Sequence, residues 1–510
     1  MNRRTSSANS TTKTLSITAL LLALILAPTW LLAQTDNHRL IILADMGNEP
    51  DEVQQMVHMM MYSNEFDLEG LIAVTGKYLN PQQKEPYRRV LHPELFTGII
   101  DAYGKVVENL KKHATGWPEV DYLHSIVATG QPEYGIAGTG EGKSTPGSEL
   151  IMSSLLKDDD RPIYIVVNAG SNTLAQALID FRAKHSQREL EAVIPKLRVF
   201  ENGAQDNAGA WICSKFPDIH WTRSNYQTYC YGGPMPETAE KLQLQGLKQG
   251  PHTWQPYAYS DLGQHQWTLE HVIAYHGALG AYYPLRMMAN KLFFLEGGGT
   301  IPWLGLIHRG LSSIDQPGWG GWSGRFTQEK VPNVWSRHKD VQQDEESYGE
   351  FKLYTEVADH WVDPATDSVY DHVFAPVYRW RQAFFNDFQC RMDWCVEDFE
   401  DANHNPVAAI NGDQAEKTHI IRATAGKTVQ LDASASSDPD GNQIQYNWWI
   451  YQEAGTYPSP ITLTSANQAV VSLTIPEDRN GREIHLILEV TDHHQITSLH
   501  DSRLVVLEVE

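Results

Sequence analysis

The run Leu40-Ile-Ile-Leu43, with the turn and helix pattern that follow it, constrains the fold of this chain most strongly. Consecutive apolar residues with no alternation read as a strand buried on both faces, as in parallel sheets. After the turn Leu43-Ala-Asp-Met-Gly-Asn-Glu-Pro-Asp-Glu52, apolar residues recur at 53, 56, 57, 60 and 61, a helical period. Pro50 suits the first helical position, and Asp51 and Glu52 sit where the helix dipole favours negative charge. Asp45, Glu49, Asp51 and Glu52 therefore crowd one turn at the carboxyl end of a first strand, where open α/β sheets bind ligands. Acids this close repel one another unless water, a hard cation or substrate hydroxyls fill the gap. An acidic helix start with only a capping role is the other reading.

The same alternation continues to about residue 330. Strands are expected at Leu68–Thr75, Pro162–Asn168 and Lys196–Phe200. Helices are expected at Glu94–Lys112, Asn172–His185 and Ala208–Lys215. This pattern predicts an α/β domain over 38–330 with a mainly parallel sheet and flanking helices. Gly138-Thr-Gly-Glu-Gly-Lys-Ser144 superficially suggests a phosphate loop. Ala137 stands where its first glycine belongs and no strand precedes it, so a plain loop is expected. Residues 331–403 read as an irregular, aromatic-rich extension of the first domain. Just before them, Pro317-Gly-Trp-Gly-Gly-Trp-Ser-Gly-Arg-Phe326 offers two Trp faces and an Arg, either as a wall for a sugar ring or as packing anchors. From 404 to 510 short strand-like runs alternate with turns such as Asp438-Pro-Asp-Gly441 and Asn480-Gly481, the pattern of an immunoglobulin-like β-sandwich. Asp432, Asp438, Asp440 and Asp492 read as turn formers rather than calcium ligands.

A formal net charge of −23 argues against nucleic acid and anionic membranes as partners. Arg3, Arg4 and Lys13 precede the apolar stretch Leu15–Leu32, and Leu31-Leu-Ala33 before Gln34 fits a cleavage site. Residues 1–33 are thus expected to be a signal peptide, giving a secreted or periplasmic chain with no membrane tie once cleaved. A retained anchor is the alternative, since the run nears spanning length. An exported chain can oxidise its four cysteines, with Cys213–Cys230 and Cys390–Cys395 as local pairings that sequence leaves open.

Several motifs occur in one order: Leu43 to Tyr78, Asn168 to Leu178, Gln205 to Trp211, the loop 317–326, Asn386-Asp-Phe388 and Asn403-His-Asn-Pro406. Over roughly 38–510 they resemble a family of secreted bacterial proteins described as cellulose-binding. The resemblance implies a nucleoside-hydrolase-like domain and a carboxyl-terminal immunoglobulin-like domain. True nucleoside hydrolases carry Asp-x-Asp-x-Gly-x-Asp-Asp after the first strand, where acids hold calcium and one Asp acts as general base. Asp45 and Gly47 match that motif. Leu43 replaces its first Asp, and two extra residues precede Asp51-Glu52, which stand where the Asp pair stands. The segment around Asn172 resembles one that supplies a carbonyl and an Asn to such a site, and Asn202 to Asp206 resembles the stretch that holds the sugar. In Glu296-Gly-Gly-Gly-Thr300, Gly299 stands where a late Asp ligand is expected.

The expected activity is hydrolysis of an N- or O-glycosyl bond, with an acid cluster polarising water directly or through calcium. In this reading Asp45 activates water, and Asp45, Asp51 and Glu52 would hold calcium. Asn48, Glu49, Asn172, Asn202 and Asp206 would contact the sugar, with Trp322 and Arg325 on the outer wall. The partner is a carbohydrate or nucleoside, cellulose among the candidates. The competing reading is a non-catalytic carbohydrate-binding protein, favoured by Gly299, the aromatic content and the appended sandwich. His58 and His308 read as ordinary core or surface histidines.

Overall fold

The computed structural model describes residues 1, 37–231, 264–288, 291–293, 295, 297–338, 340–341, 347–364, 367–477 and 482–510. The expected signal segment and its cleavage point before Gln34, Glu296 and the Asn480-Gly481 turn lie outside the described residues. Residues 38–510 form one compact unit. Among the described residues no helix is long and apolar enough to cross a membrane.

The centre is an eight-stranded sheet. Its strands are β1 (His38–Ala44), β2 (Phe66–Ala73), β3 (Val127–Thr129), β4 (Ile163–Val167), β5 (Leu197–Asn202), β6 (His220–Ser224), β7 (Phe326–Pro332) and β8 (Glu350–Glu356). Their order is β3-β2-β1-β4-β5-β6-β8-β7, and every pairing but β7–β8 is parallel. Side chains of β1 alternate between two cores: Leu40, Ile42 and Ala44 join one, Ile41 and Leu43 the other. That two-sided burial is why the run shows no polar alternation. The strand order reverses between β1 and β4, the kind of switch point at whose carboxyl side open α/β sheets place their ligands. Helix α1 (Asp51–Met60) follows β1, α2 (Asn172–Lys184) follows β4 and α3 (Ala208–Lys215) follows β5.

Two expectations needed correction. The helix expected over Glu94–Lys112 is two helices, Glu94–Tyr103 and Val107–His113. Gly104 breaks it: a Cβ there would stand 3.0 Å from Val120 Cγ2, and glycine supports a helix poorly. The stretch expected to be irregular carries regular strands and helices among its described residues. The sheet edge β7–β8 crosses its expected start at 331, and α4 (Arg381–Asp393) lies near its end. Helix α4 buries Phe384, Phe385, Phe388 and Met392 together with Asn386, Asp387, Gln389 and Arg391. A helix buried on all sides has no amphipathic period to read.

The carboxyl-terminal region is a β-sandwich. One sheet pairs β9 (His419–Ala423), β14 (His500–Val509), β13 (Glu483–Asp492) and β11 (Ile444–Ile450) in that order; β10 (Thr428–Asp432) pairs with β12 (Val470–Thr474) in the other. Leu431, Val471 and Leu473 meet Trp448, Leu488, Val505 and Leu507 in its core. The opposite face of the larger sheet is not solvent: Ile487, Leu504 and Val506 belong to the core of the α/β domain. Tyr451 adds a hydrogen bond to Asp359 at 2.7 Å. The candidate calcium acids serve turns. Asp438 accepts from the N–H groups of Asp440 and Asn442, and Asp492 from those of His494 and Leu499. All four cysteines are buried and free, so neither local pairing forms.

Candidate functional site

Asp45 is the first residue past β1 and is fully buried. Neither of its carboxylate oxygens accepts from an N–H, amide or hydroxyl donor among the described residues, and the one carboxyl within hydrogen-bonding reach is that of Glu52. The turn is fixed behind it by a hydrogen bond from the Asn48 N–H to the Asp45 carbonyl at 2.9 Å. Gly47 holds a φ of +94°, and a Cβ there would lie 2.5 Å from the His92 ring, so glycine is required. Burial, with Asp51 and Glu49 close by, pushes the Asp45 carboxyl up to about 7. Burial and the charges of Asp51 and Asp45 push Glu52 well above the ordinary carboxylate range. Single oxygens of Asn48, Asp51 and Glu52 are likewise buried without partners. Unpaired acceptors cost free energy when desolvated, so the arrangement suits a ligand that brings donors.

The neighbouring loops complete the site. A Cβ on Gly76 would lie 2.9 Å from Asp45 Oδ2 and 2.6 Å from Gln205 Oε1, which puts Gln205 beside the acid. Gln205 Nε2 donates to the Asn168 carbonyl at 3.1 Å. Asn168 Nδ2 donates to Gln55 Oε1 on α1 at 2.8 Å, and its own Oδ1 is buried and unpartnered. Asn172 donates to Thr75 Oγ1 and to the Glu133 carbonyl, leaving its Oδ1 without a partner. Asp206 accepts from the N–H groups of Ser171 and Ala208 through one oxygen, while the other is unpartnered. Burial, with Glu201 nearby, pushes it up to about 7. Asn202 accepts from the Thr228 hydroxyl at 2.9 Å. Glu49 and Asp51 lie half-buried on the rim of the same turn.

Trp322 and Arg325 need correction as sugar contacts. Trp322 is 2% exposed and meets His308 edge-on, with Phe384 beyond, so its faces are spent on packing. Arg325 is engaged by Asp359 at 2.7 Å and the Ala358 carbonyl at 2.9 Å. Neither touches the acid turn in these contacts. His58 is a core residue stacked on Phe388, as expected, and His308 packs against Trp322.

Asn168, Gln205 and Gln55 belong to the site, yet nothing in the sequence pattern marks them together. Asn168 had a usable signal, since it follows β4 as Asp45 follows β1. The missing acid at 299 has a structural counterpart. A Cβ on Gly299 would fall 2.4 Å from Gln55 Oε1 and 2.6 Å from Asn168 Nδ2, so the amide pair fills that place. Among the described residues no group of three or more His, Cys, Asp or Glu side chains is arranged to hold a metal ion.

Residues 39–326 match the family model for cellulose-binding Sde182, nucleoside hydrolase-like domain. The chain belongs to this family. Residues 428–509 match the companion model, cellulose-binding protein Sde0182, C-terminal domain. Among solved structures, a nucleoside hydrolase-related hypothetical protein from Saccharophagus degradans, described as associated with carbohydrate metabolism, is 33% identical. The alignment covers 93% of this chain and 100% of that one, with a TM-score of 0.75. The titin M3 domain (14% identity, 21% of this chain, 96% of that chain, TM-score 0.13) carries no argument. The same holds for the effector protein XOO4466 (12% identity, 75% of this chain, 98% of that chain, TM-score 0.29). No curated protein matches. For this member of the cellulose-binding Sde182 family, a nucleoside-hydrolase-like domain and a β-rich carboxyl-terminal region are established.

Proposed function

We propose that the crevice beside Asp45 binds a sugar unit and hydrolyses a glycosyl bond there. The observation that supports it best is Asp45 itself: wholly buried, with no N–H, amide or hydroxyl donor on either oxygen and its carboxyl raised to about 7. A base with that acidity is half-ionised near neutral pH, the range that serves proton transfer. Ionised Asp45 takes a proton from water as the water oxygen bonds to the anomeric carbon. The bond from that carbon to the leaving oxygen or nitrogen breaks with its electron pair on the leaving atom, which takes a proton from solvent, and Asp45 returns its own proton to solvent. Asn48, Asn168, Asn172 and Asp206 offer unpartnered acceptors for sugar hydroxyls. Calcium belongs to this proposal only as a condition to test.

One observation favours non-catalytic sugar binding: amides occupy the place where the related enzymes are expected to carry an acid. Release of reducing sugar or free base over a panel of cello-oligosaccharides and nucleosides, with and without calcium, separates the two. The hydrolase reading predicts turnover by the wild type and a loss on the order of 10²-fold or more in Asp45→Asn, the scale of a general base. No turnover, together with equal cello-oligosaccharide binding by wild type and Asp45→Asn, overturns it in favour of binding.

A further inference from the structure

A chain of titratable groups joins the two domains away from the acid crevice. His113 ends the helix Val107–His113 of the α/β domain, His404 lies in the linker that leads into the sandwich, and Asp440 sits in the sandwich turn between β10 and β11. His113 Nδ1 and His404 Nε2 are 3.0 Å apart. On the outer sides, His113 Nε2 meets the Glu397 carbonyl at 3.0 Å and His404 Nδ1 meets Asp440 Oδ1 at 2.9 Å. The His404 N–H also donates to Asp440 Oδ2 at 2.7 Å. Both rings are buried between aromatic faces: Trp394 stacks on His113 at 5.2 Å and on His404 at 5.1 Å, and Phe399 on His404 at 4.0 Å.

A carbonyl only accepts, so His113 Nε2 carries a hydrogen. The contact of His404 Nδ1 with Asp440 needs a second hydrogen, on either atom, and the contact between the rings needs a third. Two neutral imidazoles beside a carboxylate bring only two. The complete chain therefore holds one extra proton, as an imidazolium balanced by Asp440, and the aromatic faces favour that cation. Burial, against the bond to Glu397, and the charge of His404 push the His113 imidazole below its ordinary value, which leaves the extra proton on His404. Of the other charges nearby, Lys112 is paired with Asp398 at 2.5 Å, and the Glu397 side chain lies near Asp393, Asp401 and His276. On the sandwich side Asp438 accepts from the Asp440 N–H, and Asp492 accepts from Asn403 beside His404. These surroundings are acidic on balance and hold the proton. When it leaves, neither outer contact can give up its hydrogen without losing its bond. Two lone pairs then face each other between the rings, and that contact fails.

We infer that His113, His404 and Asp440 form a proton-dependent latch, closed by one extra shared proton, that fastens the inter-domain linker to the α/β domain at low pH and releases it as pH rises. The latch is independent of the chemistry at Asp45. Hydrogen exchange of the full chain, corrected for intrinsic rates, tests it. Protection of 397–405 and 438–442 should fall at least about tenfold from about pH 5.5 to about pH 8.5, across the histidine range, on the scale of one lost charged hydrogen bond. Strands β13 and β14, held by the sandwich core, should show no such fall. His113→Phe keeps a ring against Trp394 and removes the nitrogens, so it should make protection of 397–405 independent of pH. Nitrogen NMR of the wild-type histidines should find three protonated ring nitrogens in the pair at about pH 5.5 and two at about pH 8.5; if His113→Phe unfolds, that count decides alone. Wild-type protection that does not change with pH, a fall shared equally by β13 and β14, a pH dependence retained by His113→Phe, or any count other than three at about pH 5.5 would each overturn the inference.

Discussion

Buried acids are treated in opposite ways in two regions of this molecule. In the crevice, Asp45, Glu52 and Asp206 keep carboxylate oxygens that no N–H, amide or hydroxyl donor engages. Elsewhere, acids just as deep are fully engaged. Glu201 pairs with Arg223 at 2.6 Å with both side chains wholly buried, and also accepts from Trp221 and Ser171. Asp359 is held by Arg325, Arg379 and, from the sandwich, Tyr451. The engaged acids tie strands and domains together. The unengaged ones lie just after β1, in the first turn of α1 and in the loop after β5, and cost stability that a ligand can return. Burial of an acid alone therefore says little; what its oxygens touch separates a structural carboxylate from a site.

The largest effect should come from breaking a paired acid. Arg223→Met strands Glu201 as an uncompensated buried charge and should cost roughly 3–5 kcal/mol in urea unfolding. A loss below about 1 kcal/mol, the scale of an exposed pair, would erase the distinction.

A smaller effect is expected at Gly299. A side chain there meets the Gln55–Asn168 pair, so Gly299→Asp should lose about 1–3 kcal/mol by overpacking. Adding Gln55→Ala should recover most of it. Calcium calorimetry on that double variant then shows whether the restored acid creates an ion site. A stable Gly299→Asp single variant would mean that the amides do not fill the place of the acid.

Much of this was legible in the sequence because physical pattern and position coincide. The β1 run, the Pro50 helix start and the strand–helix alternation each have a clear physical pattern, and apart from the helix that Gly104 divides the structure has those elements within a few residues. The acid turn was legible because like charges crowded at a strand end need a reason. What escaped was whatever tertiary contact decides. Helix α4 is buried all round and shows no period. Trp322 and Arg325 looked like a sugar wall because a Gly-rich aromatic loop reads the same whether it packs inward or outward. Asn168, Gln205 and Gln55 are amides on three separate segments, and only folding brings them to Asp45.

The most direct test of the contrast between engaged and unengaged acids is the pH dependence of stability in Asp45→Asn. In the wild type the folded state holds the Asp45 carboxyl at about 7, above its ordinary value of 3.8. The folded state therefore binds that proton more tightly than the unfolded chain. The stabilisation is complete below about pH 4, the unfolded value, and is lost as pH rises through about 7. Asparagine cannot ionise and removes that loss. Urea unfolding from pH 5 to 8 should show the variant gaining on the wild type as pH rises, by on the order of 2–4 kcal/mol at pH 8, since each tenfold difference in proton affinity between the folded and unfolded chain is worth about 1.4 kcal/mol. A variant less stable than the wild type at every pH, by an unchanging amount, would show that Asp45 is a paired structural acid and would contradict the account.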